Sequence, residues 1–200
     1  MPQNLRDISR IAPDPTALKA LAHPVRLRML GLLRIDGPAT ASGLAARLGL
    51  NSGATSYHLR QLALHGFIVE DAERGNARDR WWRAAHESTT FGEGDGGDAA
   101  LEAGVAFGQA ALNWQISQMQ RALQHHTQLT PEWRKASTIS DYYIPLTAGQ
   151  AEALMDKLQT VLWEAMQAAP QLGTPLPEGA EPFAIILHAF PRPPEDEVAP

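Results

Sequence analysis

The chain has 200 residues, 44% hydrophobic and 20% charged, which is enough apolar content for one large or two small cores and argues against a disordered chain. It has no cysteine, so disulfides, thiolate metal sites and cysteine nucleophiles are excluded together. The formal charge of −5 is uneven: residues 1–90 hold twelve Lys and Arg against eight Asp and Glu (+4), and residues 91–200 hold five against fourteen (−9). A basic head on an acidic body still attracts phosphate locally, because salt screens the distant half over ~8–10 Å.

In chain order, Asp14-Pro15 reads as an N-cap followed by proline at the first helical position, opening a short helix that ends near Leu21. His23-Pro24 repeats the signal. The helix behind it, 24–34, places Val25, Met29, Leu32 and Leu33 on one stripe, and Asp36-Gly37-Pro38 ends it. Thr40 caps a third helix over 41–48, with Leu44, Ala45 and Leu48 inward, and Gly49 supplies the left-handed position that closes a helix. Asn51 caps the next, 52–65, with Thr55, Leu59 and Leu62 on its buried face. Only Gly49, Leu50 and Asn51 separate the two, a helix-turn-helix connection.

After Gly66 the period changes. The run 67–69 (FIV) is β-prone, the stretch 70–79 is polar with Gly75-Asn76 at its centre, and Trp81-Trp82-Arg83 follows, so a β-hairpin is expected with Arg74 and Arg78 at its tip and Arg80 beside them. By strand alternation one of Trp81 and Trp82 is core, and Arg80 turns inward or toward the neighbours of Asp79. Residues 91–98 (FGEGDGGD) read as a flexible linker. A long helix is expected over 101–128, a short one behind the cap Thr130-Pro131, a strand at 139–145, a helix behind the capping box Thr147/Gln150, and a buried strand at 183–190. The helix after Thr147 carries the clearest amphipathic pattern, with Ala151, Leu154, Met155, Leu158, Val161, Leu162, Ala165 and Met166 at helical spacing. The stretch 170–182 is loop, and 191–200 is a disordered tail.

The expected fold is mainly α with a small β component: a winged helix-turn-helix domain over 1–90, the linker, and an α+β dimerisation or sensing region over 99–190. Each part of a winged helix has a job on DNA. The second helix of the turn fits the ~12 Å major groove, and the hairpin reaches an adjoining groove or backbone. The face of that helix opposite Thr55, Leu59 and Leu62 presents Ser52, Gly53, Ser56, Tyr57, Arg60 and Gln61, and with Arg74 and Arg78 these are the candidate DNA-binding residues. Ser52 and Gly53 bring backbone N–H groups to a phosphate, Ser56 bonds a base or phosphate, Arg60 makes charge-assisted bonds, and Tyr57 offers its ring to a thymine methyl. His58 is expected to brace the helix against the wing, and Arg26 and Arg28 to act as structural or interface charges.

The segments LKALAHPVRLRML, LAARLGLNSGATSYHLRQL, GFIVE and RGNARDRWWRAAH resemble, over residues 15–90, the arsenical-resistance-repressor (ArsR) type of winged-helix regulator, in a branch without cysteine metal ligands. The resemblance implies a homodimeric regulator or repressor that a small-molecule inducer, of unknown identity, releases from a palindromic operator. No metal site or cofactor is carried over: His125 and His126 are adjacent on a helix, point ~100° apart and do not chelate from one face. Trp114, Met119 and Trp163 read as core or dimer seam.

No catalytic constellation stands out, since Ser56 and His58 lie i,i+2 on different helix faces and neither a phosphate loop nor HExxH occurs. A non-enzymatic function is expected. Residues 1–10 carry no secretion or transit signal. The longest uncharged stretch, 105–120, is broken by polar residues, whereas a membrane span needs ~20 mainly apolar ones, so a cytoplasmic protein is expected. The expected partners are double-stranded DNA and a second copy. The alternative is a protein-interaction winged helix dimerised by the C-terminal half.

Overall fold

The computed structural model describes residues 5–75, 79–90 and 97–194. The head is built from α1 (Pro15–Leu21), α2 (Pro24–Ile35), α3 (Ala41–Leu48) and α4 (Ser52–Leu64), with short strands β1 (Arg10–Ile11), β2 (Ala39–Thr40), β3 (Ile68–Glu70), β4 (Trp81–Ala84) and β5 (Ser88–Thr89). Each helix starts where a side chain accepts from an otherwise unpaired N–H. Asp14 accepts from Ala17 (2.7 Å), His23 Nδ1 from Val25 (3.2 Å), Thr40 from Gly43 (3.1 Å) and Asn51 from Ala54 (2.8 Å). Gly49, at φ +66°, ends α3 in the left-handed region and lets α4 begin three residues on.

Leu21, Met29, Leu33, Leu44, Leu59, Leu62, Phe67 and Trp82 close one core between the four helices and the sheet. Thr55 is fully buried within the same helix stripe and is satisfied by donating to the Asn51 carbonyl at 3.0 Å. The sheet has the order β2-β4-β3, antiparallel, with Ile68 opposite Ala84 and Glu70 opposite Trp82, and Ala39 also opposite Trp82. Of the two tryptophans, Trp82 is the buried one, as alternation requires. β1 and β5 form a separate parallel pair.

The second half begins with α5 (Gly97–His125), 29 residues long, whose first turns pack on α1 and α2. Ala103 and Ala110 are its buried residues, and their small side chains allow close approach. The helix starts at Gly97, inside the stretch expected as linker; the rest of that linker, 91–96, lies outside the described residues, as do 195–200 of the expected tail. A 3₁₀ turn (His126–Gln128), α6 (Pro131–Ala136) and α7 (Ala148–Ala168) follow, α7 opened by the expected capping box of Thr147 and Gln150.

Two expectations fail here. Segments 139–145 and 183–190 are not strands: both are without regular structure, and among the described residues neither makes a backbone–backbone hydrogen bond. Strand propensity describes a backbone that has a neighbour to pair with, and among the described residues none pairs with either segment. The C-terminal half is therefore helical with extended connections, and the β component of the fold lies in the head. The amphipathic helix α7 also buries no residue.

Besides the packing of α5 on α1 and α2, the chain from α7 onward is tied to the head through Arg6, Arg10 and Gly173. Arg6 donates from its backbone to Gln167 (3.2 Å) and from Nε to Ala169 (2.8 Å), and its Nη1 pairs with Glu87 at 2.5 Å. The Arg10 guanidinium lies 4.2 Å from the centre of the Trp163 ring. Gly173 donates to the Ile35 carbonyl at 3.1 Å, and its backbone lies directly on Gly37.

Candidate nucleic-acid interface

Because Thr55, Leu59 and Leu62 are all below 2% exposed, the helical period of α4 turns the opposite face outward. Ser52, Gly53 and Arg60 are exposed, Tyr57 is 51% exposed, and Ser56 and Gln61 are half-buried. The Asn51 cap leaves the first N–H groups of α4, at Ser52 and Gly53, at an exposed helix start, where an anion is favoured. A Cβ on Gly53 would lie 3.4 Å from Asn51 Oδ1, so glycine keeps that start uncrowded.

A groove of about 360 Å³ runs between the start of α3, α4 and the approach to β4. Ser52, Ser56 and Arg60 line it, together with Thr40, Ser42 and Arg80. The structure thus gathers three of the expected residues into one groove and sets Gly53, Tyr57 and Gln61 on the helix beside it. Arg74 stands apart on the exposed turn after β3, 3.5 Å from Asp71. Arg78 lies outside the described residues. Thr40 and Ser42 escape sequence reasoning: Thr40 reads as a helix cap, and nothing local reveals that the start of α3 faces α4.

Two arginines, Arg60 and Arg80, line the groove together with Asp79, and they differ in their partners. Arg80 pairs with Glu70 at 3.1 Å and lies 5.7 Å from the Trp82 ring centre, turned across the sheet rather than inward. Arg47 pairs with Asp36 at 2.7 Å. Arg34 donates to the His86 carbonyl (2.9 Å) and Thr89 Oγ1 (2.8 Å), and burial lowers its pKa to about 10. Among the described residues Arg60 has no hydrogen bond or ion pair, so its charge is available to a ligand in the groove.

His58 does not brace α4 against the wing. Its ring lies 4.6 Å from that of His23, so it braces α4 against the start of α2. Its Nδ1 is buried and has no hydrogen-bond partner among the described residues. Burial lowers the pKa of both histidines; Arg26 lowers that of His23 further, and His23 and Arg26 lower that of His58. Arg26 is structural, donating from Nε to the Ala20 carbonyl, and Arg28 lies 5.9 Å from the Trp114 ring centre on α5.

Among the described residues, no group of three or more His, Asp or Glu side chains is placed to hold a metal ion, and no helix is long and apolar enough to cross a membrane.

Residues 21–71 match the family model of a helix-turn-helix domain. No curated protein sequence matches the chain. Among solved structures, the homodimeric winged helix-turn-helix DNA-binding domain of a possible ArsR-family regulator from Mycobacterium bovis is 25% identical, covering 48% of this chain and 77% of that one, with a TM-score of 0.33. HlyU from Vibrio cholerae is 24% identical over 44% of this chain and 78% of its own (TM-score 0.31). The transcriptional repressor BigR from Xylella fastidiosa is 22% identical over 49% and 83% (TM-score 0.30). With TM-scores this low, the family match and the geometry of the head carry the assignment. Residues 21–71 therefore match the helix-turn-helix domain model, and the helices and sheet around them have the element order of a winged helix.

Proposed function

We propose that the protein is a sequence-specific DNA-binding transcriptional regulator, a repressor, that acts as a homodimer on a palindromic operator. The observation that carries this reading is the outward face of α4, where Ser52, Tyr57 and Arg60 stand free of their own protein beside a polar groove. Arg60 supplies a charged planar fork to a base edge or phosphate, Tyr57 an apolar ring with a hydroxyl, and the α4 start two N–H groups for a phosphate. Thr40 and Ser42 add hydroxyls on the opposite wall, and Arg74 extends the contact along the wing.

The homodimer is supported by α5. Leu101, Val105, Leu112, Ile116, Met119 and Leu123 are exposed at spacings of three, four and seven, the stripe that one helix presents to another. Two heads so joined would place two α4 helices in successive major grooves ~34 Å apart. An inducer has a candidate seat in the cleft of about 310 Å³ between α2 and α5, where Trp114 lies between Arg28 and Arg121 and an anionic ring would fit.

The test is capture of genomic fragments by the purified full chain, followed by gel shift on the enriched site at rising salt. A palindromic site with half-sites about one turn apart, and log affinity falling with log salt at ~0.9 per phosphate contacted, is expected. Failure to enrich any sequence refutes the reading and leaves the winged helix as a protein-docking module.

A further inference from the structure

The chain exposes 14574 Å², whereas a compact monomer of 21.7 kDa exposes roughly 9,200 Å² by the surface–mass scaling of folded monomers. Even if the nineteen residues outside the described set are each given the roughly 160 Å² of an unfolded residue, an excess of about 2,300 Å² remains. An obligate homodimer buries roughly 2,000–5,000 Å² in total, so this excess is the size of one partner's share of such an interface.

Exposed large apolar side chains cluster in two segments without regular structure. In 139–146, Ile139 is 89% exposed, Tyr142 81% and Tyr143 82%; in 183–190, Phe183, Ile185, Leu187 and Phe190 are exposed and only Ile186 is partly buried. Segment 183–190 is held in place rather than loose. Phe183 stacks on Trp133 with ring centres 6.0 Å apart, and His188 Nε2 lies 2.8 Å from Gln115 Oε1 on α5. It therefore runs beside the part of α5 that carries Leu112, Ile116 and Met119. Among the described residues, neither segment uses its backbone N–H and C=O groups in a backbone–backbone bond. Unpaired extended backbone with apolar side chains is a template for another strand.

We propose that a second copy of this chain covers this surface, and that segments 139–146 and 183–190 of the two copies pair as β-strands across the two-fold axis. This rests on the homodimer reading above and extends it from α5 to the C-terminal arm. A second copy fits better than an unlike partner because the patch specifies no opposite charge: 183–190 has no Asp, Glu, Lys or Arg, and 139–146 has only Asp141. An isologous contact needs only a surface complementary to itself, and uncharged apolar segments whose backbone groups are unpaired among the described residues are that. Pro145, which donates no backbone bond, limits the first strand to the residues before it.

Hydrogen exchange of the full-length chain, read by mass spectrometry above and below the dimer dissociation concentration found by sedimentation, tests this. In the dimer, amides of 139–144 and 183–190 are expected to exchange at least about tenfold more slowly than an unstructured reference, and to lose that protection on dilution while α4 keeps its own. Ile185→Asp is expected to raise the dimer dissociation constant at least about tenfold without changing the helical circular dichroism of the chain. A dimer whose two segments exchange at unstructured rates overturns the arm pairing and leaves the α5 dimer standing. Protection that survives in the monomer also overturns it. A chain that stays monomeric at all concentrations removes the homodimer reading as well.

Discussion

Replacement of Arg60 by alanine separates what the protein does from how it folds. Arg60 is exposed and, among the described residues, bonded to nothing, so its loss should change unfolding free energy by no more than the ~0.5 kcal/mol usual for surface sites. If the guanidinium bonds a base edge, truncating it costs ~1–3 kcal/mol on DNA, which is roughly 5- to 160-fold in affinity, and the effect falls on one position of the site. If it bonds a phosphate instead, truncation weakens all sequences alike and lowers the salt slope by ~0.9. Arg60→Lys distinguishes the two, since an ammonium restores the charge but not the planar fork. Fluorescence anisotropy on the operator and on single-base variants of it, at several salt concentrations, reads all of these. Operator affinity of Arg60→Ala within about twofold of the parent, with an unchanged slope, would show that the reading face has been misplaced.

Asn51→Ala removes the side chain that accepts from Ala54 at 2.8 Å and is expected to cost about 1 kcal/mol, a fall in Tm of ~2–4 °C by calorimetry. Gly37→Ala puts a side chain on a residue at φ +88°, with its Cβ 2.7 Å from the Gly173 carbonyl oxygen. It should destabilise by at least ~1–2 kcal/mol and speed proteolysis near 173. His23 and His58 have pKa values lowered in the fold, so the unfolded chain binds more protons just below its own histidine pKa. The stability they contribute is full above pH ~6.5 and is lost as pH falls through the lowered folded values. Urea midpoints between pH 8 and 5 should decline, and His58→Asn should flatten the decline; an unchanged slope in that variant would refute the assignment.

The head is legible in the sequence because its instructions are local. Asp14, His23, Thr40 and Asn51 each cap a helix within three residues of themselves, and Gly49 fixes the turn between α3 and α4 through its own dihedral angles. The outward face of α4 follows from its period once Thr55, Leu59 and Leu62 are set inward. What cannot be read depends on chain segments distant in sequence. Arg80 meets Glu70 through the register of β3 and β4, and His58 meets His23 through the crossing of α4 and α2. The segments at 139–145 and 183–190 show the limit from the other side. Their composition favours strand, but composition does not supply the neighbour that makes one, and α7 has a clear apolar stripe of which no residue is fully buried.

The contact between Gly37 and Gly173 joins the loop that enters α3 to the chain leaving α7 by main chain alone. Two bare backbones meet without a side chain between them, at a distance that leaves no room for a Cβ on either residue. Any shift of the segment around 173 must either part the two glycines or pull the end of α2 with it, and α3 and α4 hang from that end. The end of α2, from which α3 and α4 follow, and the chain leaving α7 thus meet at two residues that carry no side chain.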